Sequence, residues 1–368
     1  MQRFGRFFFP ASLLLCIGGV LIIQSRSGAE GQPPVERMWP VMGTFASVTL
    51  RGDDAGRIEA VQVQTRDILD EVNRRMSVYI PESEISALNS GSTQAVAIST
   101  LTHDMLNQVR HYTQLTEGAF DATVMPLITL WGFSTGTRPL SVPSDESIRA
   151  ARILTGIDRL ELGADSARFT QPGMRIDLGG IAKGFAVDRC YDAITAKQPL
   201  NLIVNLGGNL RVHGTATSRR SWNIGVQHPF EKDQTLGVLT LQSGMALATS
   251  GNYERFIILN GKRYTHIIDP RTGRPVEGMA GVTVLSSTAT EADALSTALF
   301  VLGIDRAAAI LAKAPGSHAL LVPDRQPVEI YVSAGLMPFF EPHAEYAGGV
   351  KPLPVNASGD RGQGAVGD

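Results

Sequence analysis

The chain has 368 residues, and 33 Lys+Arg against 35 Asp+Glu leave a net charge of -2. That balance offers no basic face for displacing counterions from nucleic acid, and the 38 glycines point to turns and close backbone approaches rather than a helical bundle. Two cysteines, Cys16 and Cys190, one of them in the N-terminal apolar segment, exclude a disulfide framework and a thiolate zinc site in the body, so any metal would be held by oxygen or imidazole.

Arg3 and Arg6 precede an apolar stretch over 7–23, followed by polar Gln24, Ser25 and Arg26. This reads as an export signal or an uncleaved anchor over 1–29. Ser27-Gly28-Ala29 offers a small-residue cleavage site, and Cys16 offers a lipidation site, although Leu15 before it is bulky. Residues 30–38 read as a linker, 39–342 as one domain, and the Gly- and Pro-rich stretch 343–368 as a disordered tail.

Within the body, Ile58, Val61, Ile68, Leu69, Val72 and Met76 keep helical spacing, as do Leu101, Met105, Val109, Tyr112 and Leu115, with Gly118 as the stop. Helices are also predicted over 181–196 and 288–302, the latter opened by Thr288 and Glu291 in capping-box spacing. Strands are predicted over 46–50, 202–204, 210–212, 256–259, 264–268, 282–285, 319–322 and 329–332, with Asn260-Gly261 as a hairpin turn. Hairpins with helices inserted at intervals argue for α+β rather than a doubly wound sheet.

Four constellations could carry chemistry. Asp177-Leu178-Gly179-Gly180 reads as a strand end crossing two glycines into a helix that carries Lys183; it is either a tight structural turn or a phosphate cradle. Asp293 and Thr297 share one helix face, which suits Mg²⁺ and equally suits an acid complementing the helix dipole. His266 stands before the Asp269-Pro270 turn, either as an ordinary strand histidine or, beside Asp269 and Arg271, as a general base. Ala119-Phe120-Asp121 with Trp131, and Met76-Ser77-Val78-Tyr79, offer aromatics that stack on a flat heterocycle or simply pack in a core.

In this order, these segments resemble the ApbE family of FAD:protein FMN transferases. The resemblance also rests on Met42-Gly43-Thr44, Ser83-Glu84-Ile85-Ser86, Asn205-Leu206-Gly207-Gly208 and Thr249-Ser250-Gly251, and spans residues 39–338. It implies a two-lobed, T-fold-related α+β body with mixed or antiparallel sheets and flanking helices, holding FAD between the lobes. It implies FAD binding by Met42, Tyr79, Ala119, Phe120, Asp121, Asp177, Lys183 and Ile267. It implies Mg²⁺ on the Gly180 carbonyl, Asp293 and Thr297. The implied reaction is attack by a Thr or Ser hydroxyl of an acceptor protein on the FMN-side phosphorus of FAD, with AMP leaving. His266 is the expected general base, with Asp293 the second catalytic group through its metal. The expected acceptors are subunits of membrane redox pumps or other exported flavoproteins at the periplasmic face of the inner membrane. Two other readings fit the same residues: a Mg²⁺-dependent FAD pyrophosphatase, and a non-catalytic periplasmic flavin-binding protein.

Overall fold

The computed structural model describes residues 34–134, 139, 141–197, 199–216 and 221–355. The expected export segment and Cys16 lie outside them. In chain order, β1 (Val35–Val41) and β2 (Thr44–Leu50) form a hairpin, followed by α1 (Ile58–Met76), α2 (Thr100–Leu115) and α3 (Ala182–Thr195). Next come β3 (Leu202–Leu206), β4 (Asn209–His213), β5 (Trp222–Gln227), β6 (Thr235–Leu241), β7 (Ala246–Gly251), β8 (Phe256–Leu259), β9 (Lys262–Thr265) and β10 (Met279–Ser286). The chain then forms α4 (Ala289–Leu311), β11 (His318–Pro323), β12 (Ile330–Val332), β13 (Phe340–Pro342) and β14 (Val350–Pro352).

Among the described residues, nine strands join in the order β1-β2-β3-β4-β7-β10-β11-β12-β14, antiparallel except for the last pair. One face of this sheet carries Val48, Val204, Ala248, Val284 and Leu321, which enter the main core beneath α1, α3 and α4. The opposite face carries Ile203, Leu210, Leu247, Leu285 and Leu320, which pack with Trp222, Ile224 and Leu239 of a second sheet ordered β13-β6-β5. The result is three layers: helices, large sheet, small sheet. Both faces of the large sheet are buried, so its strands read as continuous apolar runs rather than alternating ones. The chain is α+β, as expected.

α4 is long and apolar enough to cross a membrane, but a kink at Gly303 interrupts it, and the part before the kink is buried nearly all round, which is the pattern of a core helix. A third, smaller core of Leu127, Trp131, Phe133, Ile148, Ile257, Leu259 and Ile268 ties the β8–β9 hairpin to the segment after α2. The Trp131 indole donates to the Gly273 carbonyl at 2.9 Å, and Arg255 donates to the Phe133 carbonyl at 2.7 Å.

Three expectations are corrected. Residues 35–38 are not linker, because β1 begins at Val35 and pairs with β2 along its whole length. The tail does not begin at 343, because Val350–Pro352 pairs with Ile330–Val332 as an edge strand. The segment before the Gly-Gly corner belongs to no sheet. There the Asn89 side chain bonds both backbone groups of Ile176, at 2.7 and 2.8 Å, supplying what a neighbouring strand would.

Candidate active site

One end of the large sheet gathers the turns. Met42 and Gly43, both at positive φ, join β1 to β2, and Gly207 and Gly208, also at positive φ, join β3 to β4. These are the two-residue loops that match strand twist. The two turns touch: Gly207 donates to the Phe45 carbonyl at 2.9 Å. β7 ends at the same edge, bringing Thr249, Ser250 and Gly251 beside the start of β10.

Against this edge lie α3 and α4. Gly184 is the contact point, because a Cβ there would overlap the Ala289 carbonyl and press on Asp293 Cβ at 2.8 Å. The close approach lets the Gly184 N–H donate to Asp293 Oδ2 at 2.9 Å. Lys183 Nζ lies 3.8 Å from the other carboxylate oxygen and donates to the Gly179 carbonyl at 3.1 Å. Asp293 therefore fills the anion position at the start of α3. Burial pushes its carboxyl above the ordinary range, and the Lys183 charge with the Gly184 and Lys183 amides pulls it only part of the way back. Ionising this carboxyl would therefore be helped by a further positive charge beside it.

Thr297 stands one turn further along α4. A Cβ placed on Gly180 would come within 3.1 Å of Thr297 Oγ1 and 3.3 Å of the Phe120 ring. Gly180 and Thr297 are thus neighbours, and Lys183 links Asp293 to the Gly-Gly corner. The candidate donors are the Asp293 carboxylate, the Thr297 hydroxyl and, by the resemblance, the Gly180 carbonyl. These are hard oxygens, suited to Mg²⁺ with water completing the shell. Among the described residues there is no cluster of three or more His, Cys, Asp or Glu side chains that would favour a transition metal.

His266 is half-buried at the foot of the β8–β9 hairpin. Its Nδ1 lies 3.1 Å from the Arg255 carbonyl, which also takes the His266 N–H at 3.1 Å. A carbonyl only accepts, so Nδ1 carries the proton and the Nε2 lone pair is left for another partner. Burial, with the positive charges of Arg255 and Lys183, lowers the imidazole from its usual 6.5 to about 4. It is an uncharged acceptor at neutral pH.

Asp177 accepts from the Gly179 N–H at 2.7 Å, and its own N–H bonds the Ala122 carbonyl at 2.7 Å, which joins the Gly-Gly corner to the Ala119-Phe120-Asp121 segment. Tyr79 is 56% exposed, on a loop pinned by Ser83 donating to the Ser77 carbonyl at 2.7 Å, so its ring is open to a ligand. Met42 is half-buried in its turn. Ala119, Phe120 and Ile267 are core residues. Asp121 is buried, and its carboxylate accepts from both the N–H and the hydroxyl of Thr123 and from the Ile157 N–H.

Two groups near the site carry no sequence signal that assigned them a role. The Glu254 carboxyl is raised by burial and by the charge of Asp293, and lowered by Lys183, so the three form one electrostatic cluster. Arg255 holds the His266 ring. Its position could have been found by counting outward from the Asn260-Gly261 turn, because Phe256 pairs with Thr265 and the next step places Arg255 opposite His266.

The family model described as "ApbE family" matches residues 42–321. A Vibrio cholerae protein named FAD:protein FMN transferase is 34% identical over 303 residues, covering 82% of this chain and 91% of that protein. An Escherichia coli protein of the same name is 32% identical over 272 residues, covering 72% of this chain and 78% of that one. Among solved structures, the flavin transferase ApbE from Vibrio cholerae matches with a TM-score of 0.72 at 34% identity, covering 83% of this chain and 100% of that chain. The ApbE protein from Thermotoga maritima matches with a TM-score of 0.76 at 30% identity, covering 84% and 99%.

Proposed function

The chain belongs to the ApbE family, and from that premise we infer that it is an FAD:protein FMN transferase that works with Mg²⁺ on a Thr or Ser hydroxyl of an acceptor flavoprotein. The observation that carries the metal-dependent chemistry is the convergence of the Gly180 backbone, the buried Asp293 carboxylate and the Thr297 hydroxyl beside Lys183.

The reaction joins the acceptor oxygen to the FMN-side phosphorus and breaks the phosphoanhydride bond, so that AMP leaves with the bonding electrons. The acceptor proton goes to His266 Nε2, the lone pair left open by the Nδ1 contact with Arg255. Asp293, Thr297 and the Gly180 carbonyl would hold Mg²⁺, which when bound neutralises the diphosphate and stabilises charge on the leaving phosphate. Lys183, 3.8 Å from Asp293, places a further positive charge at the same spot. The glycine corner lets the backbone come close to a phosphate without a side chain intervening. Tyr79 offers an exposed ring for a flat heterocycle. Arg3 and Arg6 before the apolar stretch 7–23 support export and an acceptor at the outer face of the inner membrane.

Incubation with FAD and Mg²⁺, with chromatography of the products, tests the reading. AMP release is expected to require an acceptor hydroxyl, and Asp293→Ala is expected to abolish it while circular dichroism stays native. AMP and free FMN accumulating equally without acceptor would make the chain an FAD pyrophosphatase, and FAD left intact in every condition would make it a flavin-binding protein.

A further inference from the structure

We propose that Ser250 is a positioning residue that turns the Thr297 hydroxyl so that its lone pairs, not its proton, face the cation site. The inference rests on the metal-dependent reading above and adds a residue to it.

The argument follows the protons. Ser296 Oγ lies 2.9 Å from the Asp293 carbonyl, which can only accept, so the Ser296 proton is committed there. Ser250 Oγ lies 2.8 Å from Ser296 Oγ, and with the Ser296 proton used, Ser250 must be the donor of that pair. Ser250 then has only lone pairs left for its other neighbour, Thr297 Oγ1, at 3.4 Å. Thr297 is left as the donor across that gap. The direction is thus set along a line of three hydroxyls ending on a carbonyl: Thr297 to Ser250 to Ser296 to Asp293.

The arrangement differs from that of three other helical threonines. Thr65, Thr113 and Thr195 donate to the carbonyl four residues back at 2.7–2.8 Å, the usual local bond. Thr297 instead meets a side chain on the neighbouring strand β7. A hydroxyl presented to a cation must keep its proton on the far side, and the relay provides a place for it. Ser296 is wholly buried and Asp293 nearly so, which holds the far end of the relay rigid. Outer groups that orient a metal ligand commonly change affinity by about 10- to 100-fold when removed.

Mn²⁺ binding to the full chain, followed by electron paramagnetic resonance of the free ion, tests the proposal. Ser250→Ala is expected to raise the Mn²⁺ dissociation constant by roughly ten-fold. In transfer assays it should raise the Mg²⁺ concentration needed for half-maximal rate, with kcat at saturating metal close to wild type. Ser250→Thr, which keeps the hydroxyl, should restore most of the affinity, and the exposed, distant Thr240→Ala should change nothing. Wild-type Mn²⁺ affinity in Ser250→Ala overturns the positioning role while leaving the metal site standing. No Mn²⁺ binding by the wild-type chain overturns the metal-dependent reading itself, and the Ser250 role with it.

Discussion

At the scale of single residues, the imidazole of His266 shows how a backbone contact selects a chemical role. The Arg255 carbonyl fixes the tautomer, and burial beside two cations keeps the ring neutral. A base with so low a pKa is weak in the ground state and accepts the proton only as the new oxygen–phosphorus bond acidifies the hydroxyl. His266→Gln is therefore expected to keep FAD binding, read by flavin fluorescence, and to lose about 10²–10⁴-fold in single-turnover transfer. The sign of the pH effect follows from the depressed pKa. The neutral form persists below 6.5 and is lost only as the pH falls towards about 4. Transfer by the wild-type chain at saturating Mg²⁺ should be level between pH 8 and pH 6 as far as this residue governs it. An acidic limb centred near 6.5 that vanishes in His266→Gln would contradict the assigned environment.

At the scale of elements, the site is made by two helices that cap each other. The Asp293 carboxylate from α4 caps the start of α3 through the Gly184 N–H. In return, the Asp188 carboxylate from α3 accepts from the N–H groups of Ala289 and Thr290 at the start of α4, at 2.9 and 2.8 Å. Each acid complements the other helix's dipole as well as its open amides. The arrangement depends on Gly184, so Gly184→Ala is expected to cost about 1–3 kcal/mol or more by overpacking. Urea unfolding measures this, with the exposed and uncrowded Gly56→Ala as the control. An unchanged midpoint in Gly184→Ala would mean the helices are not in the contact described. Thr288 and Glu291 announced the start of α4 correctly, and Thr288 does accept the Glu291 N–H. Yet the Glu291 carboxylate takes the Ser286 hydroxyl instead of completing the box. The mutual capping by Asp188 and Asp293 was not legible, because its bonds join residues 101 to 109 positions apart that only the packed helices bring together.

At the scale of the molecule, the three-layer body explains which parts of the sequence could be read. Long amphipathic helices and the hairpins with Gly-Gly or Asn-Gly turns carry local signals, and both stand where their residues predicted them. The small sheet β13-β6-β5 left no such mark, because its strands cover the far face of the large sheet and are defined by that packing. Arg175–Leu178 misled for a related reason, its alternating, strand-like residues being held by the Asn89 side chain and the Ala122 carbonyl rather than by a neighbouring strand. Gly180, Asp293, Thr297 and His266 could be singled out from their ordered motifs, and the structure sets Gly180 beside Thr297. Ser250, Ser296 and Glu254 acquire their neighbourhoods only when β7, the segment after it and α4 meet at one end of the sheet.

The central claim, that this end of the sheet moves FMN from FAD onto a protein hydroxyl with a cation held by Asp293 and Thr297, is tested most directly by the intact mass of an acceptor protein. After incubation with the chain, FAD and Mg²⁺, the acceptor is expected to gain one FMN less one water. The gain should disappear with a chelator and with Asp293→Ala. An acceptor that stays unmodified while FAD is cleaved, or that is modified equally in the presence of the chelator, would contradict it.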